Sequence, residues 1–145
     1  MNRRDALKVA SIAIATAAVS ANATEIAATK PPMNRMDMKP QDPSKPNNFE
    51  LKHMPEIIVK GKDDKGYAMV EIIIGQNGMI HPSTPDHWID FIELYADDKL
   101  VGRNVLEADI SRGATAFAVK LEGVKKLTSK AGCNLHGIWT ASVDL

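Results

Sequence analysis

YAMVEIIIGQNGMIHPSTPDHWIDFIELYADDKL, residues 67–100, carries two apolar runs, Tyr67–Ile74 and Trp88–Tyr95, separated by a turn signal and a loop broken by two prolines. The first run is rich in β-branched residues and the second alternates only in part, as strands packed on one or both faces do. Asn77-Gly78 is a strong hairpin signal, because both central positions of such a turn need positive φ. Further short runs flank this stretch: Glu56–Lys60 before it, and Thr115–Leu121, Val124–Ser129 and Ile138–Val143 after it. Turn residues punctuate them at Gly61–Gly66, Ala96–Lys99 and Ser111–Gly113. Short strands at this spacing, with no convincing helical period, predict an all-β sandwich of about seven strands over residues 49–145.

The rest of the chain is of a different kind. Met1-Asn2-Arg3-Arg4-Asp5-Ala6-Leu7-Lys8 leads into an apolar stretch, Val9–Val19, and then into Ser20-Ala21-Asn22-Ala23. Positive start, short apolar centre and small-residue cleavage site are those of a signal peptide, expected over residues 1–23, and the paired arginines resemble a twin-arginine signal. The expected location is therefore the periplasm or another exported compartment, with no membrane segment in the mature form. Residues 24–48 are rich in Pro, Lys and Asn, and are expected to form an extended linker. Met33, Met36 and Met38 lie in it; spaced thioethers can bind copper(I), although methionines in such a segment are usually incidental.

Composition excludes some functions. The 145 residues carry 18 basic and 18 acidic side chains, for a formal net charge of +0. No broad field is available to attract nucleic acid or an anionic membrane. One cysteine excludes an internal disulfide, and a lone thiol in an oxidising compartment needs burial or a metal to protect it.

That cysteine is the start of the chemistry. In Cys133-Asn134-Leu135-His136 a thiol and an imidazole stand two residues apart, a spacing suited to one metal ion. The other histidines of the chain are His53, His81 and His87. His81 and His87 share a loop that Pro82 and Pro85 keep out of a helix, and His53 is expected at the start of a strand. An isolated Cys or His is more often a core residue than a ligand; here every imidazole and the only thiol can be assigned to one centre. Zinc and copper also accept imidazole and thiolate, although five donors are more than a tetrahedral zinc site usually takes. Trp88 and Trp139, beside or near these residues, are expected to shield the site, and Asp97-Asp98 to form a solvated turn.

HPSTPDHWIDFIELYADDKLVGR (81–103), with KHMP (52–55) and CNLHGIW (133–139), resembles the catalytic domain of the superoxide reductases, the neelaredoxin and desulfoferrodoxin family. The resemblance spans roughly Phe49–Leu145. It implies an immunoglobulin-like β-sandwich and a one-iron protein that converts superoxide to hydrogen peroxide by a one-electron reduction. It implies His53, His81, His87 and His136 as four nitrogen ligands of a non-haem iron, Fe2+ or Fe3+, with Cys133 as the axial thiolate; the backbone N–H groups of residues 134–136 are then the candidates for hydrogen bonds to the sulfur. It also implies Lys52 as a catalytic residue, attracting the anion and organising a proton-donating water. The implied partners are superoxide, an electron donor that the chain does not reveal (a rubredoxin-like or other small redox protein), and a second copy, since family members form dimers and tetramers. The chain departs from the family where a glutamate usually precedes the lysine: Leu51 stands there and Glu50 is one residue early. Either Glu50 reaches the metal through a shifted loop, or no carboxylate does. A non-catalytic metal-binding or electron-transfer module using the same residues is the alternative.

Overall fold

The computed structural model describes residues 31–145; the expected signal at 1–23 and the first part of the expected linker, 24–30, lie outside them. Two sheets face each other. One has the order β1-β8-β7-β4-β5, the other β2-β3-β6. The strands are β1 (Asp37–Met38), β2 (Pro55–Lys62), β3 (Tyr67–Ile74), β4 (Ile89–Ala96), β5 (Lys99–Val105), β6 (Ala114–Lys120), β7 (Lys126–Cys133) and β8 (Gly137–Asp144). Seven are full strands and β1 is a two-residue addition, so the all-β sandwich is as expected.

The period-2 pattern of β3 builds the core. Ala68, Val70, Ile72 and Ile74 point inward and are buried, while Tyr67, Met69 and Ile73 face out. They meet Ile92 and Leu94 of β4, and Leu127, Ala131 and Cys133 of β7. The thiol of Cys133 thus sits at the end of the hydrophobic core. β4 alternates poorly because both its faces are covered. Its outward Phe91 lies under the Arg103 guanidinium, 3.9 Å from the ring centroid, and opposite Gly132. A side chain at position 132 would collide with that ring.

Three local expectations are corrected. Asn77 and Gly78 do adopt positive φ, 55° and 76°, but the turn returns the chain into the histidine loop and not into a second strand. His81 N–H bonds the Ile74 carbonyl, and the prolines that follow have no N–H to continue a ladder. His53 is not at a strand start; it ends a short helix, α1 (Asn48–His53). The Asn47 side chain accepts from the Glu50 N–H, and Glu50 returns a bond to the Asn47 N–H, a complete capping box. Finally, residues 34–48, read as part of a free linker, are held against the sandwich. β1 pairs in parallel with β8, Arg35 forms an ion pair with the buried Asp90, and Gln41 N–H donates to the Glu50 carboxylate at 2.8 Å. Polar bonds to the domain, not apolar burial, hold this arm. Among the described residues no helix is long and apolar enough to cross a membrane.

Candidate metal centre

Four elements deliver five donor side chains to one end of the sandwich. His53 comes from the last turn of α1, His81 and His87 from the loop between β3 and β4, Cys133 from the end of β7, and His136 from the turn into β8. The four imidazoles form a closed ring. Centroids are 4.8 Å apart for His53–His81, 4.7 Å for His81–His87, 4.9 Å for His87–His136 and 4.8 Å for His136–His53. Neighbouring planes cross at 72–82°. His53 and His87 are diagonal, 6.2 Å apart.

The donor atoms converge further than the rings do. One ligand atom from each of His53, His81, His87 and Cys133 lies within 4.8 Å of the others. His136 Nδ1 is 3.0 Å from His53 Nε2 and 3.5 Å from Cys133 Sγ. Two nitrogens each about 2.1 Å from one first-row divalent ion, at right angles, stand about 3 Å apart, so these spacings are those of atoms able to share an ion.

The hydrogen bonds behind the rings fix which nitrogen faces in. His53 Nδ1 donates to the Phe49 carbonyl at 2.6 Å and His81 Nδ1 to the Pro82 carbonyl at 2.7 Å. That leaves the Nε2 lone pairs directed at the centre, the arrangement typical of metal-bound imidazole. Buried His81 Nε2 and His87 Nε2 have no hydrogen-bond partner among the described residues. A buried ring nitrogen without a partner is costly unless something else takes its lone pair, and a metal ion does so. The residues therefore fit the group.

Electrostatics keep the imidazoles neutral. The pKa of His53 is pushed down from 6.5 to about 4 and that of His81 to about 3, in both cases chiefly by burial. His87 and His136 are also lowered, again first by burial. The Lys52 ammonium adds to the depression at His53, His87 and His136, so its positive charge is felt across the centre. Cys133 is fully buried, which raises its thiol pKa. The backbone amides of His136 and Leu135 oppose that rise. The Asn134 N–H, expected to join them, instead donates to the Trp88 carbonyl at 3.2 Å.

Glu50 does not reach in. Its two carboxylate oxygens accept from the backbone N–H groups of Gln41 and Asn47, each at 2.8 Å. The carboxylate is thus occupied in anchoring the arm to α1, and Leu51 has no oxygen to offer.

Several supporting residues were not singled out from the sequence. Asn134, fully buried, ties the two donor loops together: its Oδ1 accepts from Trp88 N–H at 2.9 Å and its Nδ2 donates to the Asp86 carbonyl at 2.8 Å. Its place inside the CNLH run was the available signal. Phe49 packs on His53 and His136, with centroids at 4.5 and 4.9 Å. Trp139, expected as a shield, stacks on His53 at 5.3 Å and donates Nε1–H to the His136 carbonyl at 2.9 Å. Trp88 instead points its indole N–H at the Leu106 carbonyl.

Comparison with known proteins agrees with this geometry. The desulfoferrodoxin family model matches residues 45–142, most of the chain. The chain belongs to the desulfoferrodoxin family. A superoxide reductase from Pyrococcus abyssi is 32% identical over 103 residues, covering 65% of this chain and 87% of the relative. A desulfoferrodoxin from Desulfarculus baarsii is 32% identical over 99 residues, 65% of this chain and 75% of the relative. Among solved structures, the one-iron superoxide reductase from Giardia intestinalis aligns with a TM-score of 0.56 and 29% identity, over 65% of this chain and 98% of that one. The neelaredoxin from Ignicoccus hospitalis aligns at 0.53 and 27%, over 64% and 79%.

Proposed function

We propose that this desulfoferrodoxin-family chain is a superoxide reductase, which reduces superoxide to hydrogen peroxide with one electron and two protons. The observation that carries the reading is the closed ring of four imidazoles with one buried thiol within 3.5 Å of a ring nitrogen. His53, His81, His87, His136 and Cys133 would hold a non-haem iron, which supplies the single electron and a Lewis-acidic position for a small anion.

The chain's own groups do the rest. Neutral imidazoles leave the positive charge of the ion uncompensated, which favours an anionic substrate. The Lys52 ammonium adds a second positive charge on the same substrate and orders a water that can give a proton. Trp139 and Phe49 cover two of the rings and limit water around them. With both Glu50 oxygens in use, protons come from solvent and not from a carboxylate at the centre.

Two features of the working protein belong to the same proposal. The twin-arginine-like start directs the folded domain out of the cytoplasm, and the electron comes there from a small redox protein. Fusion of residues 1–30 to a reporter should give export that a change of both Arg3 and Arg4 to Lys abolishes; export without loss in that variant argues against the twin-arginine route.

The catalytic reading is tested by mixing the reduced, iron-loaded protein with superoxide. Peroxide should form in proportion to superoxide consumed, without oxygen evolution. Superoxide that decays only at its spontaneous rate would make this a metal-binding or electron-transfer module; evolution of oxygen would make it a dismutase.

A further inference from the structure

The two peptide groups that join Asn134, Leu135 and His136, directly after Cys133, are held from behind by a single residue of the N-terminal arm. The Asn34 backbone N–H donates to the Asn134 carbonyl at 2.6 Å, and Asn34 Nδ2 donates to the Leu135 carbonyl at 3.1 Å. The Asn134 carbonyl belongs to the same peptide unit as the Leu135 N–H, and the Leu135 carbonyl to the same unit as the His136 N–H. None of the described peptide bonds is cis. In a trans peptide the C=O and N–H point in opposite directions, so fixing these two carbonyls aims these two N–H groups. Those two amides are the backbone groups that lower the Cys133 thiol pKa against the rise from burial.

Other contacts show that the arm is seated there by design of the backbone. Asn34 Oδ1 accepts from the Met36 N–H at 2.9 Å, which holds the side chain in its bonding orientation. The Ile138 N–H donates to the Met36 carbonyl at 2.8 Å, just beyond the donor loop. Gly137, at φ +81°, leaves the space: a Cβ there would lie 2.5 Å from the Met36 carbonyl oxygen. Asn34 lies ahead of residue 45, where the family match begins.

We propose that Asn34 is a positioning residue for the metal-binding thiolate: its two hydrogen bonds orient the Leu135 and His136 amides toward Cys133 Sγ and polarise them as donors to it. The proposal rests on the metal-centre reading above. A carbonyl that accepts a hydrogen bond makes the N–H of its own peptide a better donor. Stronger donation to sulfur withdraws electron density from the thiolate and favours the reduced metal, as hydrogen bonds to cysteine sulfur do in iron–sulfur proteins. Asn34 therefore raises the reduction potential of the centre.

The test uses the full chain loaded with iron, and reads the midpoint potential and the thiolate-to-iron charge-transfer band. Asn34→Ala should lower the potential, raising the ferric-to-ferrous ratio at a fixed poise about three- to tenfold, which is about 30–60 mV for a one-electron couple. The band should shift while iron content stays at wild-type level. Asn34→Asp keeps the acceptor for the Met36 N–H but has no amide donor, and should shift both readouts in the same direction even if the Ala variant folds poorly. Met38→Ala loosens the arm without touching the two carbonyls; it should lower the thermal midpoint and leave potential and band in place. Asn34 variants with an unmoved potential, or a Met38→Ala shift of equal size, would overturn the proposal. A wild-type protein with no thiolate charge-transfer band overturns the metal-centre reading itself, and the proposal with it.

Discussion

Lys52 acts on the centre through its charge. Its ammonium depresses the pKa of three of the four ring imidazoles, after burial, so a superoxide anion approaching those rings passes through its field. Lys52→Ala should slow the encounter with superoxide about tenfold at low salt and flatten the dependence of that rate on ionic strength. Iron content and visible spectrum should stay unchanged, since Lys52 supplies no ligand. Pulse-radiolysis rates that match wild type across the salt series would remove Lys52 from the mechanism. That the four imidazoles and the thiol come together was legible at this scale, because the chain has no other histidine or cysteine and each could be assigned to one centre. What the sequence did not reveal was which backbone groups serve the sulfur. Asn134 N–H goes to Trp88, and only the folded loop decides that.

At the scale of elements, α1 shows why the site is reached from a helix and not from a strand. Six residues are too few to display a helical period, yet Asn47-Asn48-Phe49-Glu50 carried the capping-box spacing that starts it. Glu50 is the joint between helix and arm, 5% exposed and bonded to two backbone N–H groups. Glu50→Ala should cost about 2 kcal/mol by leaving both donors unpaired, on the order of 10 °C in melting temperature for a domain of this size. Iron affinity should fall with it, because His53 ends the same helix. A variant that melts and binds iron like wild type would mean the arm is not anchored at Glu50. The arm was misread for a physical reason. Its composition offers little apolar surface, and its attachment runs through Asn34, Arg35 and a two-residue parallel pairing that no periodicity announces. β5 was passed over similarly: Lys99–Val105 is mostly part-exposed or exposed, and contains Gly102 and Arg103.

For the whole molecule, the sandwich pays for a preformed metal site with buried, neutral imidazoles. Unfolded histidines take up protons near pH 6.5, whereas folded His53 and His81 do so only near 4 and 3. Between those values the unfolded chain binds more protons, so metal-free protein loses stability as pH falls. The contribution is intact above about pH 6.5, and each ring removes up to about 1.4 kcal/mol per pH unit until its folded pKa is reached. Urea midpoints of the metal-free protein should therefore drop from pH 7 to pH 5; equal midpoints would show that the rings are not buried neutral. The two-sheet architecture itself was legible because β3 alternates cleanly and turn residues separate the runs. The closing of the ends over the histidines was not, since it depends on loops that carry prolines and on an arm held by polar bonds.

X-ray absorption fine structure of the iron-loaded protein tests the central claim most directly, because it counts the atoms around the metal. The spectrum should require one sulfur and four imidazole nitrogens at bonding distance in the reduced state. A fit that needs no sulfur, or only two histidine rings, would contradict the account.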